Sequence, residues 1–288
     1  MRAALVILSG ALLAAPAPSQ VSPEVPELRA VLEKLGEYAA GYHTKFREFV
    51  ASEERVQKHY GVRKTEQRAT LSDYYVVSLP SAPDQMREFR ETLSVDGREV
   101  SGKRGKVFDL LRRKSSGPDA EAQRFLKESK RYDLEAFRKF EEFTNLGLLY
   151  VDPRVQHLVQ YKLEAAARRG LLVLQFRESG PNTVARVDGG PAPAGGAMYF
   201  TWPELRVVRV DLTIHDTRPD GEELVRCIID YAPGPEGLML PSRCRHFMPG
   251  TAGHSEPGSW ESDARYSNYR RFTSDVKLTI GEPAEAPR

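Results

Sequence analysis

The sequence predicts an α+β protein: a curved antiparallel sheet, an incomplete β-barrel, with an N-terminal helix and a helical insert covering its concave face. Three observations carry this prediction. One amphipathic stripe of three-and-four spacing lies near the start of the chain, most of the rest alternates apolar and polar with a period of two, and short turns separate the alternating runs.

The 288 residues begin with Arg2 and an apolar run from Ala3 to Ala15, followed by the small residues Ala17-Pro18-Ser19. That order is a secretory signal peptide, residues 1–19, with cleavage after Ser19. The run of about thirteen residues falls short of the roughly 20 that span a bilayer as a helix, so it reads as a signal and not as an anchor. The remainder, 20–288, is expected to be a single half-barrel domain, periplasmic or secreted.

The helix is read from Leu28, Leu32, Leu35, Tyr38, Ala39, Tyr42, Phe46 and Phe49, with Ser22-Pro23-Glu24 as its start signal. A strand follows from about Phe49 to Tyr60. Period-two runs then appear around Leu71, Tyr75, Val77 and Leu79, and around Phe89, Leu93 and Val95. A helical insert is predicted over about 104–143, carrying Phe125, Leu126, Tyr132, Leu134, Phe137, Phe140 and Phe143. Strands resume at Tyr161–Ala167, Leu172–Phe176, Met198–Trp202, Val208–Ile214, Val225–Tyr231, Leu238–Cys244 and Trp260–Phe272. The stretch from Gly189 to Gly196 is expected to be a surface loop. About eight to eleven sequential antiparallel strands must close or curl.

Composition excludes one class of partner. The chain carries 42 basic and 40 acidic residues, and loss of Arg2 with the signal leaves it near neutrality, without the basic excess of a nucleic-acid binder.

Cys227 and Cys244 are the only cysteines, and an even pair in an exported chain invites a disulfide. A hairpin symmetric about the Pro235–Glu236 bond opposes residues whose numbers sum to 471, as theirs do. At a non-hydrogen-bonded position such a pair has Cα atoms about 4.5 Å apart, inside the disulfide range. Two buried free thiols remain the alternative.

Catalytic signatures are lacking: there is no Walker A loop, G-x-G-x-x-G, H-E-x-x-H or G-x-S-x-G. No catalytic residue, metal site or cofactor is predicted. His246 and His254 flank a Pro/Gly loop without metal-ligand spacing, and the acidic turn Asp216, Asp220, Glu222 and Glu223 lacks an EF-hand pattern. Glu53-Glu54 and Glu141-Glu142 read as surface charge, since neighbours on a strand point to opposite faces.

The candidate binding residues are Tyr75, Phe89, Phe176, Phe200, Trp202 and Tyr231, each on the apolar side of its alternation. A sheet face bearing them encloses either a cavity for an acyl chain or a close-packed core.

Leu71-Ser72-Asp73, Ser94-Val95-Asp96-Gly97, Phe176-Arg177-Glu178 and the segment Tyr266–Phe272 resemble a family of uncharacterised exported bacterial proteins over most of the mature chain. The order of elements more distantly resembles the periplasmic lipoprotein carriers of the LolA/LolB type. That resemblance implies an incomplete barrel whose helix-lidded concave face holds lipid, while the long insert departs from the carrier pattern and no carrier residue matches a position here. The expected function is a non-enzymatic carrier for a lipid, acyl chain or lipidated partner, with transient membrane contact and no nucleic acid. The alternatives are an envelope protein–protein interaction module with a packed core and, more remotely, a hydrolase using His215 or His246 as base.

Overall fold

The first apolar stripe of the chain forms helix α1, Leu28–Phe46. It buries Val31, Leu35, Ala39, Tyr42 and Phe46 along one side, and Lys45 lies in its last turn, where positive charge offsets the helix dipole. The computed structural model describes residues 25–46, 49–79, 82–101, 105, 126–134, 137, 144–166, 170–178, 182–187, 190–215, 223–249 and 258–271. The predicted signal peptide, most of the predicted insert, the acidic turn 216–222, Glu141-Glu142 and His254 lie outside them.

Among the described residues, thirteen strands follow in the order β1 Phe49–Gly61, β2 Thr65–Leu79, β3 Ala82–Val95, β4 Arg98–Glu99, β5 Val159–Ala165, β6 Leu171–Glu178, β7 Arg186–Val187, β8 Gly190–Pro191, β9 Ala194–Thr201, β10 Val207–His215, β11 Glu223–Pro233, β12 Met239–Met248 and β13 Gly258–Arg271. A short helix, α2, spans Leu146–Leu149 between β4 and β5. Eleven strands make one sheet in the order β4-β3-β2-β1-β13-β12-β11-β10-β9-β6-β5, and every pairing is antiparallel. The sheet is open, with β4 and β5 at its ends. The first and last long strands close the chain on itself, because β1 pairs with β13 from Phe49↔Arg271 to Gly61↔Gly258.

The predicted Gly-rich loop is mostly paired structure. β7 and β8 form a two-stranded ribbon, and Gly195 and Gly196 lie within β9. Gly196 is required by close approach: a Cβ there would stand 2.1 Å from the Asp211 carbonyl oxygen and 2.9 Å from Phe176. Gly147 of α2 does the same against β10, where a Cβ would meet Val210 at 2.3 Å.

Alternation sets two faces. The inner face carries α1 and the main core, including Leu174, Met198, Phe200, Val210, Leu212 and Ile229, each fully buried. The outer face of β10 to β13 carries a ladder of ion pairs: Arg226–Asp211 at 2.8 Å, Arg245–Asp230 at 3.1 Å and Arg243–Asp263 at 2.5 Å. Partly exposed pairs of this kind each contribute at most about 1 kcal/mol, so the ladder serves solubility and register more than stability. Leu134 and Phe137, from the span predicted as an insert, pack in a second cluster with Val225, Met248 and Trp260.

Candidate functional site

The inner face divides into two regions of opposite chemistry. On one side, strands β6 and β9 to β11 present apolar side chains that share one buried cluster with Val31, Leu35, Tyr42 and Phe46 of α1, all four 0–1% exposed. Tyr150 stacks on Phe176 with centroids 4.8 Å apart, and Tyr42 meets Tyr231 edge-on at 6.5 Å. Aromatic contacts of these geometries add to plain burial.

Among the described residues, few polar contacts tie the helix to its surroundings. Gln156 Nε2 donates to the Leu32 carbonyl at 3.2 Å, His43 Nδ1 lies 3.3 Å from Asn145 Nδ2, and the Lys34 ammonium sits 4.8 Å from the Trp202 ring centre. The hydroxyls of Tyr38, Tyr42 and Tyr150 are buried without a hydrogen-bond partner. Burial pushes all three phenols well above their ordinary range, so they are neutral donors in search of an acceptor. On the outer side of α1, Leu28, Leu32, Gly36 and Ala40 line a cleft of ≈ 830 Å³ together with Pro153 and Gln156.

The second region is polar. The inward residues of β1 after Ala51 are Glu53, Arg55, Gln57 and His59, none more than 4% exposed. Arg90 on β3 donates from Nε to both Glu53 carboxylate oxygens, at 3.0 and 2.9 Å, approaches Glu88 at 3.7 Å and lies over the Tyr74 ring. Arg55 pairs with Asp133, and Gln57 accepts from the Leu134 amide at 2.9 Å. Glu88 accepts the Thr144 amide, the Thr144 hydroxyl is 2.8 Å from Tyr74 Oη, and its carbonyl accepts from Tyr231 Oη at 2.9 Å. Thr144 thereby links the polar region to the apolar one. His59 stacks on Trp260 with centroids 3.6 Å apart.

The six predicted binding residues do not share a face. Phe176, Phe200 and Tyr231 join the core beneath α1, with Trp202 partly buried at its margin, just beyond β9. Tyr75 and Phe89 oppose one another on β2 and β3, in a row with Val50 on β1. Their neighbours Ala51, Tyr74 and Arg90 point inward, so this row points outward. Tyr75, Phe89 and Val50 are nonetheless at most 3% exposed.

The reading of Glu53-Glu54 as surface charge holds for Glu54 alone, because Glu53 is fully buried. Two opposite-charge pairs at two-residue spacing, Glu53/Arg55 and Glu88/Arg90, were the available signal for this region. Two residues so spaced share a strand face, and one charge on a covered face needs the other.

The cysteine hairpin has a different register from the symmetric one. Asp230 opposes Arg243 while Tyr231 opposes Pro241, leaving Ser242 as an extra residue in β12 whose hydroxyl donates to the Asp230 carbonyl at 3.1 Å. Pro241 has no amide hydrogen to give the ladder, which suits it to a bulge. Cys227 therefore faces His246, and Cys244 faces Ile229. The cysteines are diagonal neighbours with sulfurs 3.8 Å apart and unbonded. With His246 they form the one group of three metal-capable side chains among the described residues. His246, offered as a hydrolytic base, is 4% exposed against Cys244, a position closed to substrate; His215 ends β10 opposite Glu223.

No protein-family model matches this chain, and no curated protein matches its sequence. In backbone layout it is similar to a domain from Vibrio parahaemolyticus described as an outer membrane lipoprotein-sorting protein, at 9% identity and TM-score 0.37 over 85% of this chain and 93% of that one. It is also similar to a DUF1329 family protein from Desulfovibrio piger, at 13% identity and TM-score 0.39 over 87% and 94%. A LolA superfamily protein from Nitrosomonas europaea is similar at 8% identity and TM-score 0.35 over 84% and 94%.

Proposed function

We propose that the protein is an exported, non-enzymatic binder of a lipid, an acyl chain or a lipidated partner, with the space between α1 and the apolar half of the sheet as its binding site. One observation carries this reading: the α1 seam joins an apolar aromatic bed to three buried phenol hydroxyls that lack acceptors. Each unsatisfied hydroxyl costs about 1–3 kcal/mol. An ester or headgroup oxygen satisfies them while its chain replaces α1 side chains on Phe176, Phe200 and Tyr231. The helix is suited to yield, since apolar contact far outweighs its polar ties to the sheet. Tyr75 and Phe89 belong to this proposal only as support for strand packing on the far side.

The test is native mass spectrometry and organic extraction of the mature chain, followed by titration with a fluorescent acyl probe. Copurified or acquired acyl ligand, displaced by competing lipid, is expected. Neither copurified lipid nor probe uptake refutes the reading.

A second reading rests on the tight filling of the α1 seam, where buried side chains leave almost no surface. In that case the domain docks an envelope protein through the edge strand β5, with the core as scaffold. Binding of a peptide or protein that protects β5 amides from exchange, without any acyl uptake, selects it.

A further inference from the structure

Cys227 on β11 and Cys244 and His246 on β12 point into the inner face and are 3%, 1% and 4% exposed. Their ligand atoms all lie within 4.8 Å of one another. The sulfurs are 3.8 Å apart, and the two ring nitrogens of His246 are 3.7 and 3.9 Å from the Cys244 sulfur. Tetrahedral coordination with zinc–sulfur bonds of about 2.3 Å and a zinc–nitrogen bond of about 2.0 Å sets sulfurs roughly 3.8 Å apart and sulfur and nitrogen roughly 3.6 Å apart. The sulfur–sulfur separation and that between Cys244 and His246 already match these values, His246 lies within 4.8 Å of Cys227, and a turn of the imidazole aims one nitrogen at the point between the sulfurs.

Charge selects the ion. Two thiolates and one neutral imidazole cancel a divalent cation, so the occupied site is uncharged in an interior where net charge is costly. The neighbouring buried cations are already engaged, Arg90 by Glu53 and Glu88 and Arg55 by Asp133. Across the ladder from His246, on β13, stands Ser262, whose hydroxyl is buried and has no hydrogen-bond partner. It supplies a polar atom beside the three donors.

We propose that Cys227, Cys244 and His246 bind one thiophilic d10 metal ion, zinc(II) being the ion whose charge they cancel, with the Ser262 hydroxyl or a water completing the site. Binding releases both thiol protons and forms two metal–sulfur bonds, with no change of oxidation state. In the absence of the ion, the contact with Cys227 and burial push the Cys244 thiol up. Soft thiolate donors favour zinc or copper(I) over calcium or magnesium. The inference is independent of the lipid reading, since none of the three donors is among the residues to which that reading assigns the ligand.

The full mature chain, reduced and refolded under anaerobic conditions with cobalt(II), is the test. One cobalt per chain is expected, with a thiolate-to-cobalt charge-transfer band and tetrahedral ligand-field bands that zinc abolishes. Zinc should raise the melting midpoint of the wild type and protect both thiols from alkylation until a chelator is added. Cys227→Ser and Cys244→Ser remove the band, and His246→Gln weakens zinc binding by at least about tenfold. Far-ultraviolet circular dichroism establishes that each variant is folded, and thiol protection in the wild type stands even if a variant is not. Folded, reduced wild type that takes up neither cobalt nor zinc overturns the proposal. So does His246→Gln with wild-type affinity, or a Cys227–Cys244 disulfide that forms in preference when zinc and a mild oxidant are supplied together.

Discussion

The two halves of the inner face are built from the same antiparallel ladder and stabilised by opposite means. Under α1 the sheet offers Leu174, Phe200, Val210 and Ile229, whose burial needs no particular partner. On β1 and β3 it offers Glu53, Arg55, Gln57, Glu88 and Arg90, which tolerate burial only because Asp133, Leu134, Thr144 and one another meet them at hydrogen-bond distance. The apolar half is adaptable: non-directional contacts re-form around a different occupant at modest cost. The polar half is not, since losing one partner leaves a charge in a low-dielectric interior. Under the binding proposal, a ligand exchanging with α1 belongs on the apolar side, with the polar side as the rigid wall that fixes sheet geometry.

The largest expected effect comes from breaking that wall. Glu53→Ala takes from the buried Arg90 guanidinium the carboxylate that accepts both of its Nε bonds, leaving Glu88 at 3.7 Å, and should cost about 3–5 kcal/mol, read as a fall in the urea midpoint. The double variant Glu53→Leu, Arg90→Met, which removes both charges, should recover most of that loss. If the single and double variants are equally unstable, the pair contributes through shape and the contrast between the halves fails.

In the apolar half, Leu174→Ala should cost about 2–5 kcal/mol, the range for emptying a fully buried position. Under the binding proposal, acyl probe affinity changes much less than stability, because the bed repacks. Probe affinity that collapses in step with stability argues for a rigid pocket.

Smaller and more discriminating is a comparison of two phenols. Tyr231 donates to the Thr144 carbonyl at 2.9 Å, whereas Tyr42 Oη is buried and unpaired. Tyr231→Phe should lose about 1–2 kcal/mol by orphaning a carbonyl, and Tyr42→Phe should be neutral or stabilising in the ligand-free protein. With acyl ligand bound, the order is expected to shift, since Tyr42→Phe then loses a contact. Thermal melts of both variants with and without probe lipid read this directly.

The apolar half was legible in the sequence and the polar half was not, for a physical reason. Period-two alternation of Leu, Val, Ile and Phe states which side is buried, and strands β6 and β9 to β13 fall where it places them. On β1 both sides of the alternation carry charge, so periodicity is silent and only the partners decide. Those partners lie far along the chain, Asp133 at 78 residues from Arg55 and Thr144 at 56 from Glu88. The cysteine register differs more locally and in two steps: the turn pairs Pro233 with Met239, one residue off the symmetric hairpin, and the extra residue Ser242 beside Pro241 adds a second, so Cys227 meets His246. Alternation does not separate the faces around Tyr75 and Phe89, because on β2 both Tyr74 and Tyr75 are buried, on opposite faces.

The smallest expected effect links the two halves through pH. His43, near the end of α1, contacts Asn145 next to Thr144, and burial pushes its imidazole below the ordinary histidine range, only partly offset by Asp152. A base whose folded pKa is depressed takes up its proton more readily in the unfolded chain. Its contribution to stability is then present in full above about pH 6.5 and is lost as pH falls through the folded value. Because His43 sits on the helix and Asn145 does not, the loss should appear first as loosened docking of α1. Amide exchange in Leu28–Phe46 is expected to quicken below pH 6 while exchange in β1 stays constant, and His43→Gln should flatten the profile. Equal acceleration in both elements would place the acid-sensitive contact in the polar half instead, among its paired carboxylates.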